Sequence, residues 1–356
     1  GVSNIRCVWM VDHSPVHYIS CRAVWPFHTN PSGVRCRATS HTSGHIQTMR
    51  GEMSSRHVVT AGNRSTEQNT RTHLDLSHVH AVNVLPKQCQ RLHLIQIGCG
   101  GIGAFLGIHV ARLARECFRL FDTVMVTFYD GDTIEEKNLR RQNFCQAEIG
   151  HNKAEALAFR ISTAWGIPIR AFPRHFSEKE AQPEYDTLTM LLGCVDTARA
   201  RRSLHQALAR LNTRNDAQAW LIDGGNLTTH GQVLVGNVVK DFNPDESFQL
   251  RTVCQSLPAP ALVHPELLKR ERRPVNNQPR SCAELALSDP QSLTINSIIA
   301  SHMADYLLRL VITKDLRRFA TYIDMDTGSA RSLAITSTEI SRALGLYQNK
   351  SMGRAS

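Results

Sequence analysis

Four glycines within six residues, directly behind a short apolar run, constrain this chain more than anything else in it. Leu92, Leu94, Ile95 and Ile97 form an apolar stretch with no helical period, and Gly98, Gly100, Gly101 and Gly103 follow at once. Such a pattern predicts a buried parallel strand that turns sharply into a helix. Glycine lets backbone N–H groups come close to a phosphate, and the positive end of the following helix points at the same spot. A nucleotide phosphate chain is thereby placed above the first strand, although dehydrogenases and flavin enzymes carry similar loops.

A second apolar strand, Val124 to Tyr129, ends at Asp130 with Asp132 close behind. A carboxylate at that strand end suits the two hydroxyls of a ribose, and an NAD enzyme would fit equally well up to this point. The next segment does not suit NAD. Asn138, Arg140, Arg141 and Gln142 sit together, and Lys153 follows a Gly-His-Asn turn at the head of an amphipathic helix. This is more cationic and donor capacity than a pyrophosphate needs, and it suits a triphosphate. Met190 to Val195 reads as another buried strand, and Asp196 at its end could hold Mg²⁺ through water and phosphate oxygens. The plain alternative for each of these charged residues is an ordinary surface salt bridge.

With these residues in place, the chain resembles the E1-like adenylating enzymes, the family of ThiF, MoeB, HesA and the ubiquitin-activating enzymes. The matching motifs are GCGGIG (Gly98 to Gly103), the DGD of Asp130 to Asp132, NLRRQ (Asn138 to Gln142), GHNK (Gly150 to Lys153), CVDT (Cys194 to Thr197) and DGGNLTTHGQVLV (Asp223 to Val235). They run in order over roughly Leu74 to Ile323, and the narrower likeness is to ThiF-related members of the PRTRC gene cassette. The resemblance implies ATP with Mg²⁺, and adenylation of the C-terminal carboxylate of a small ubiquitin-like β-grasp protein. By the same resemblance, Asn138, Arg141 and Lys153 would grip the phosphates, Asp196 would hold the metal, Asp130 would hold the ribose with Asp132 also in the nucleotide site, and Gln142 would help orient the chain. In relatives with a thiolate nucleophile the cysteine lies on the loop entering the last long helix, which here is Cys282 in PRSCAEL, with Cys254 in reserve. An E2-like protein could then receive the acyl group. Some relatives are homodimers whose basic arm reaches the neighbour's ATP, but its arginine-tyrosine-arginine-glutamine pattern is missing, leaving only Arg71 and Arg91 nearby.

The rest of the chain alternates predicted strands and helices. Helices are expected at Gly103 to Leu113, Asn152 to Ala164, Ala198 to Leu211 and Gln291 to Val311, and strands at Ile167 to Pro173, Leu188 to Val195, Trp220 to Asp223 and Gln232 to Val239. That rhythm predicts an α/β fold: a Rossmann-like, doubly wound, mostly parallel sheet with helices on both faces. Ligands of such sheets lie at the carboxyl ends of the strands, where Asp130, Asp196 and the glycine loop all fall. Leu74 to Pro86 reads as an edge strand or short arm. Lys240 to Arg280 holds six prolines and the charged run KRERR, and so reads as a long crossover loop, taken with Cys282 as residues 240–282. Phe319 to Asp324 and Ser332 to Ile335 read as a hairpin around Asp326 to Gly328. The adenylation domain is thus expected over residues 74–347, with a frayed tail at 348–356.

Residues 1–73 contain neither leucine nor lysine, which predicts a polar extension without a packed core, disordered or not native, with Met49 or Met53 as alternative starts. Its Cys7, Cys21 and Cys36 lack paired zinc-ligand spacing, and no CxxC occurs anywhere, so no zinc site is expected. Ten cysteines without a secretory signal predict reduced thiols in the cytoplasm. The 41 Lys and Arg against 31 Asp and Glu are scattered rather than clustered, which makes nucleic acid an unlikely partner. No run of 18 apolar residues suggests a membrane span. Two other functional classes stay open: an NAD-dependent oxidoreductase on the same glycine loop, and a non-catalytic scaffold whose ATP site only switches conformation.

Overall fold

The computed structural model describes residues 77–250, 252–269 and 294–346. The extension 1–73, Cys282 and the tail 348–356 lie outside the described residues. In chain order the strands and helices are β1 (Asn83–Val84), β2 (Arg91–Ile97), α1 (Gly101–Cys117), β3 (Thr123–Tyr129), α2 (Lys153–Trp165), β4 (Arg170–Phe172), β5 (Thr187–Gly193), α3 (Ala198–Leu211), β6 (Gln218–Asn226), β7 (His230–Gly236), α4 (Pro244–Ser247), β8 (Val253–Cys254), α5 (Pro260–Val263), α6 (Ile295–Leu307), β9 (Arg318–Asp324), β10 (Ser329–Ala334) and α7 (Ser337–Ala343).

An eight-stranded sheet runs β10-β9-β7-β6-β5-β2-β3-β4. From β6 to β4 the neighbours are parallel, whereas β7, β9 and β10 join antiparallel. The doubly wound, mostly parallel sheet expected from the sequence is therefore present, and the order reverses between β2 and β5, the usual place for a ligand in such sheets. Register aligns the strand ends: Ile97 of β2 pairs with Tyr129 of β3 and with Gly193 of β5, and Gly193 pairs with Asp223 of β6. The residues that leave the sheet at Gly98, Asp130 and Cys194 consequently emerge side by side.

Helices cover both faces. On one, α1 buries Ile102, Leu106, Val110 and Ala114, a stripe at helical spacing, against α6 and α2. On the other, α3 buries Leu204, Ala207, Leu208 and Leu211 over Ile95, Leu191 and Leu221. β5 is buried at every position and β2 at its last four, so apolar residues such as Leu94 and Ile95, or Met190, Leu191 and Leu192, stand next to one another on opposite faces. Helix α6 begins at Ile295 and passes into a π-helical turn, Leu308–Ile312.

Two expectations are revised. The arm leading into the domain adds no strand to the large sheet. Its Val84 is fully buried, and β1 pairs in parallel with β8 of the crossing segment as a separate two-stranded sheet. The crossing segment itself, as far as residue 269, is not one open loop but carries α4, β8, α5 and the 3₁₀ turn Pro265–Leu268. Pro244, Pro260 and Pro265 each stand in the first turn of a short helix, where a missing N–H costs no hydrogen bond.

Candidate active site

A cavity of about 1560 Å³ opens along the carboxyl ends of the parallel strands and continues across β7, β9 and β10. Its wall holds Gly98, Gly100, Gly101, Asp130, Asp132, Arg141, Gln142, Lys153 and Asp196. Most of the residues singled out from sequence are thus brought to one place. Gly103, Asn138, Arg140 and Cys254 are not in the wall. Gly103 lies within the first turn of α1, and Asn138 is buried with Oδ1 accepting the Glu135 N–H at 2.9 Å. Asn138 in that position caps the 3₁₀ turn Glu136–Arg140 and shapes the segment that delivers Arg141 and Gln142.

The glycine loop is held from beneath. Gly98 has φ +92°, and a Cβ there would lie 2.4 Å from the Cys194 carbonyl oxygen, so the position requires glycine. Gln96, fully buried in β2, donates from Nε2 to the Gly103 carbonyl at 2.9 Å and to that of Gly98 at 3.3 Å. An amide between Ile95 and Ile97, two residues before a glycine cluster, was the available sequence signal for this clamp. Cys99 packs beneath the loop, its thiol pushed up by burial. Gln142 lies over Gly100, with its amide 3.6–3.8 Å from the position of a Cβ there. Its Oε1 is buried without a hydrogen-bond partner, an acceptor suited to a ligand donor.

Asp130 accepts the Cys99 N–H on Oδ2 at 2.6 Å and the Asp132 N–H on Oδ1 at 2.8 Å. Burial nevertheless raises its carboxyl above the ordinary range, against those two bonds and Lys153, which pull it down. Lys153, nearly buried at the first position of α2, reaches the exposed Asp132 with Nζ–Oδ2 at 3.0 Å. Asn152 ties these parts together. Its Oδ1 caps α2 by accepting from Ala154 and Glu155, while Nδ2 donates to the carbonyls of Asp130 and Asp132. Asp196 stands exposed one residue before the cap of α3, and its carboxylate makes no hydrogen bond or ion pair among the described residues.

Beyond β5 the wall holds Gly225 and Gln232 from the DGGNLTTHGQVLV motif, together with Arg201, Tyr322 and Arg331, to which sequence reasoning assigned no role. Asp223 in β6 and Arg201 in α3 form a buried pair, Nε–Oδ2 at 3.2 Å. Across the antiparallel strands, Gly225, Gln232, Tyr322 and Arg331 stand in register and all line the cavity. Tyr322 accepts or donates a 2.6 Å hydrogen bond with His264 Nε2, and His264 Nδ1 meets Glu266 at 2.7 Å. His175, after β4, packs against Gly131 between the two aspartates. Cys254, the reserve thiol, is fully buried and pushed up to about 12 by that burial.

The ThiF family model matches residues 79–341. The chain belongs to the ThiF family. Membership agrees with the E1-like motifs, all of which fall inside the matched region. No curated protein matches the chain in sequence. Among solved structures it is similar to PaaA, at 16% identity and TM-score 0.46, covering 70% of this chain and 65% of that one. It is also similar to E. coli MccB solved with ATP, at 15% identity and TM-score 0.43, covering 73% and 65%. A third is the microcin C7 biosynthetic enzyme MccB in complex with N-formylated MccA, at 14% identity and TM-score 0.43, covering 73% and 67%. The chain therefore spans less than two thirds of the length of PaaA and of the ATP-bound MccB. Among the described residues no helix is long and apolar enough to cross a membrane.

Proposed function

We propose that this ThiF-family chain catalyses ATP-dependent adenylation of a carboxylate, and that the carboxylate is the C-terminus of a ubiquitin-like β-grasp protein. One observation carries the reading: a single cavity, at the point where strand order reverses, brings the glycine loop, Asp130, Arg141, Gln142, Lys153 and Asp196 together. The glycine loop and the N-terminus of α1 would cradle the phosphates. Arg141 and Lys153 would offset phosphate charge, Asp130 would take the ribose, and Asn138 would act through the turn it caps. Asp196, with its carboxylate uncommitted, fits a Mg²⁺ ligand, and the ion would supply further neutralisation of phosphate charge.

The substrate carboxylate is already a nucleophile at neutral pH, so no base is needed. One of its oxygens forms a bond to the α-phosphorus while the bond from that phosphorus to the bridging oxygen breaks, and pyrophosphate leaves with that electron pair. Acceleration comes from alignment and from charge stabilisation. Acyl transfer to Cys282, release of AMP and delivery to an E2-like protein or to sulfur chemistry would follow in the fuller form of the proposal, and a homodimer would be its assembly. The narrower PRTRC likeness predicts a neighbouring gene for a β-grasp protein that ends in glycine.

ATP–pyrophosphate exchange with candidate β-grasp proteins tests the proposal. Exchange should depend on the partner's free C-terminus and disappear in Lys153→Ala and Arg141→Ala. Cys282→Ser should leave exchange intact and remove any adduct sensitive to reductant. Preference for a nicotinamide dinucleotide over ATP would overturn the reading, and ATP binding without exchange would favour the scaffold.

A further inference from the structure

The Asp223–Arg201 pair is expensive to bury, and the fold gives it a particular shape. Asp223 is 2% exposed, its Oδ1 has no hydrogen-bond partner, and burial raises its carboxyl despite the opposing Arg201. Oδ2 takes only Nε of the guanidinium, at 3.2 Å. The outer edge of the fork, Nη1 and Nη2, makes no hydrogen bond among the described residues, and Arg201 lines the cavity. A Cβ on Gly225 would lie 2.9 Å from Nη2, so the side-chain-free strand end is what leaves that edge room. A buried ion pair is weak evidence for stability, because desolvation consumes much of the attraction. A guanidinium fixed through Nε, with its paired Nη donors bare, is instead a preorganised receptor for a carboxylate or carbonyl oxygen.

Its position says which oxygen. The glycine loop, Lys153 and Arg141 gather at the ends of β2 and β3, whereas Asp223 stands on β6, with β5 between β6 and β2. On its other side the register row Gly225, Gln232, Tyr322, Arg331 leads away over the antiparallel floor of the cavity. A chain lying on that floor must pass Gly225 and Arg201 before its end reaches the nucleotide.

We propose that Arg201, held by Asp223, is a positioning residue that binds the acyl oxygen at the end of the substrate tail and sets it beside the α-phosphate. This rests on the adenylation reading above. Two stable probes separate the parts: sulfamoyl-adenosine, which mimics AMP, and glycyl-sulfamoyl-adenosine, which mimics the acyl-adenylate with one residue of tail. Titration calorimetry with each, and with ATP, is run on the wild type, Arg201→Lys and Asp223→Asn. The wild type should bind the glycyl probe more tightly than the unacylated one. Arg201→Lys should lose about tenfold or more of that difference, as expected for a charge-assisted contact, while its ATP affinity stays put. Asp223→Asn, which keeps the guanidinium but loosens its seat, should lose a smaller part, and it serves alone if Arg201→Lys fails to fold. An unchanged difference in the variants, no glycyl preference in the wild type, or an equal fall in ATP affinity each overturns the assignment. Failure of all three nucleotides to bind the wild type would instead remove the adenylation reading itself.

Discussion

Asn152→Ala should destabilise the protein by about 2–4 kcal/mol, because one half-buried side chain makes four hydrogen bonds. Oδ1 accepts from Ala154 and Glu155 at 2.9 and 3.1 Å, and Nδ2 donates to the Asp130 and Asp132 carbonyls at 2.9 and 3.0 Å. An N-cap lost to alanine costs about 1 kcal/mol. Each amide–carbonyl bond adds about 0.5–1.5 kcal/mol. Asn152→Ser keeps a capping oxygen and loses the two donors, so it should retain the cap's share and cost about 1–3 kcal/mol. Urea unfolding with an unchanged m-value measures both. The same donors fix the aspartate turn against the head of α2, where the Lys153 N–H also meets the Asp132 carbonyl at 3.0 Å. ATP affinity should therefore fall in Asn152→Ala under conditions where it is fully folded. If Asn152→Ser costs less than about 0.5 kcal/mol, the bonds to Asp130 and Asp132 do not hold the turn, and if Asn152→Ala costs no more than Asn152→Ser the cap contributes nothing; either result refutes the reasoning.

Two further outcomes are expected. Gly98→Ala forces a side chain to φ +92° and into the Cys194 carbonyl. It should cost about 2 kcal/mol or more in thermal or urea unfolding and remove ATP binding. His93, hydrogen-bonded to Thr127, is pulled down to about 4 from 6.5, first by burial and then by Arg170. Between those values the unfolded chain binds the extra proton, so stability is full above pH 6.5 and is lost as pH falls towards 4. The loss amounts to about 3 kcal/mol, and His93→Gln should flatten that limb of the stability profile.

What could be read from the sequence follows how local each cause is. The glycine turn after β2, Asp130 directly after β3 and the Gly-His-Asn turn at the head of α2 are each written in a few consecutive residues, and all lie where expected. The first helix starts two residues earlier than its pattern suggests, at Gly101, because Gly100 serves as its N-cap despite having no side chain. The β1–β8 pairing could not be read, since it joins residues far apart through two short strands whose apolar content is one valine on one side and a valine and a cysteine on the other. Arg201 was hidden in a strongly basic helix, ARARRSLHQALARL, in which only the fold distinguishes the arginine facing Asp223 from its exposed neighbours. Asn138 shows a second limit: the motif marks a polar residue but not that its oxygen accepts from the backbone of the turn.

Counting cations in the sequence also overstates the free positive charge of the site. Lys153 is almost buried, and burying an ammonium without a counter-ion would be costly, so the fold supplies Asp132 at 3.0 Å. Asp132 is the exposed member of that pair, which makes it the partner that can turn back to water when another anion arrives. Phosphate binding at Lys153 is then an exchange of one anion for another rather than the filling of an empty electrostatic hole. Affinity gained from the phosphate is reduced by the pair it displaces, and Asp132→Asn should tighten nucleotide binding while making the lysine dearer to bury. A nucleotide titration showing weaker binding in Asp132→Asn, at unchanged folding, would mean that the carboxylate assists the ligand directly instead of holding its place.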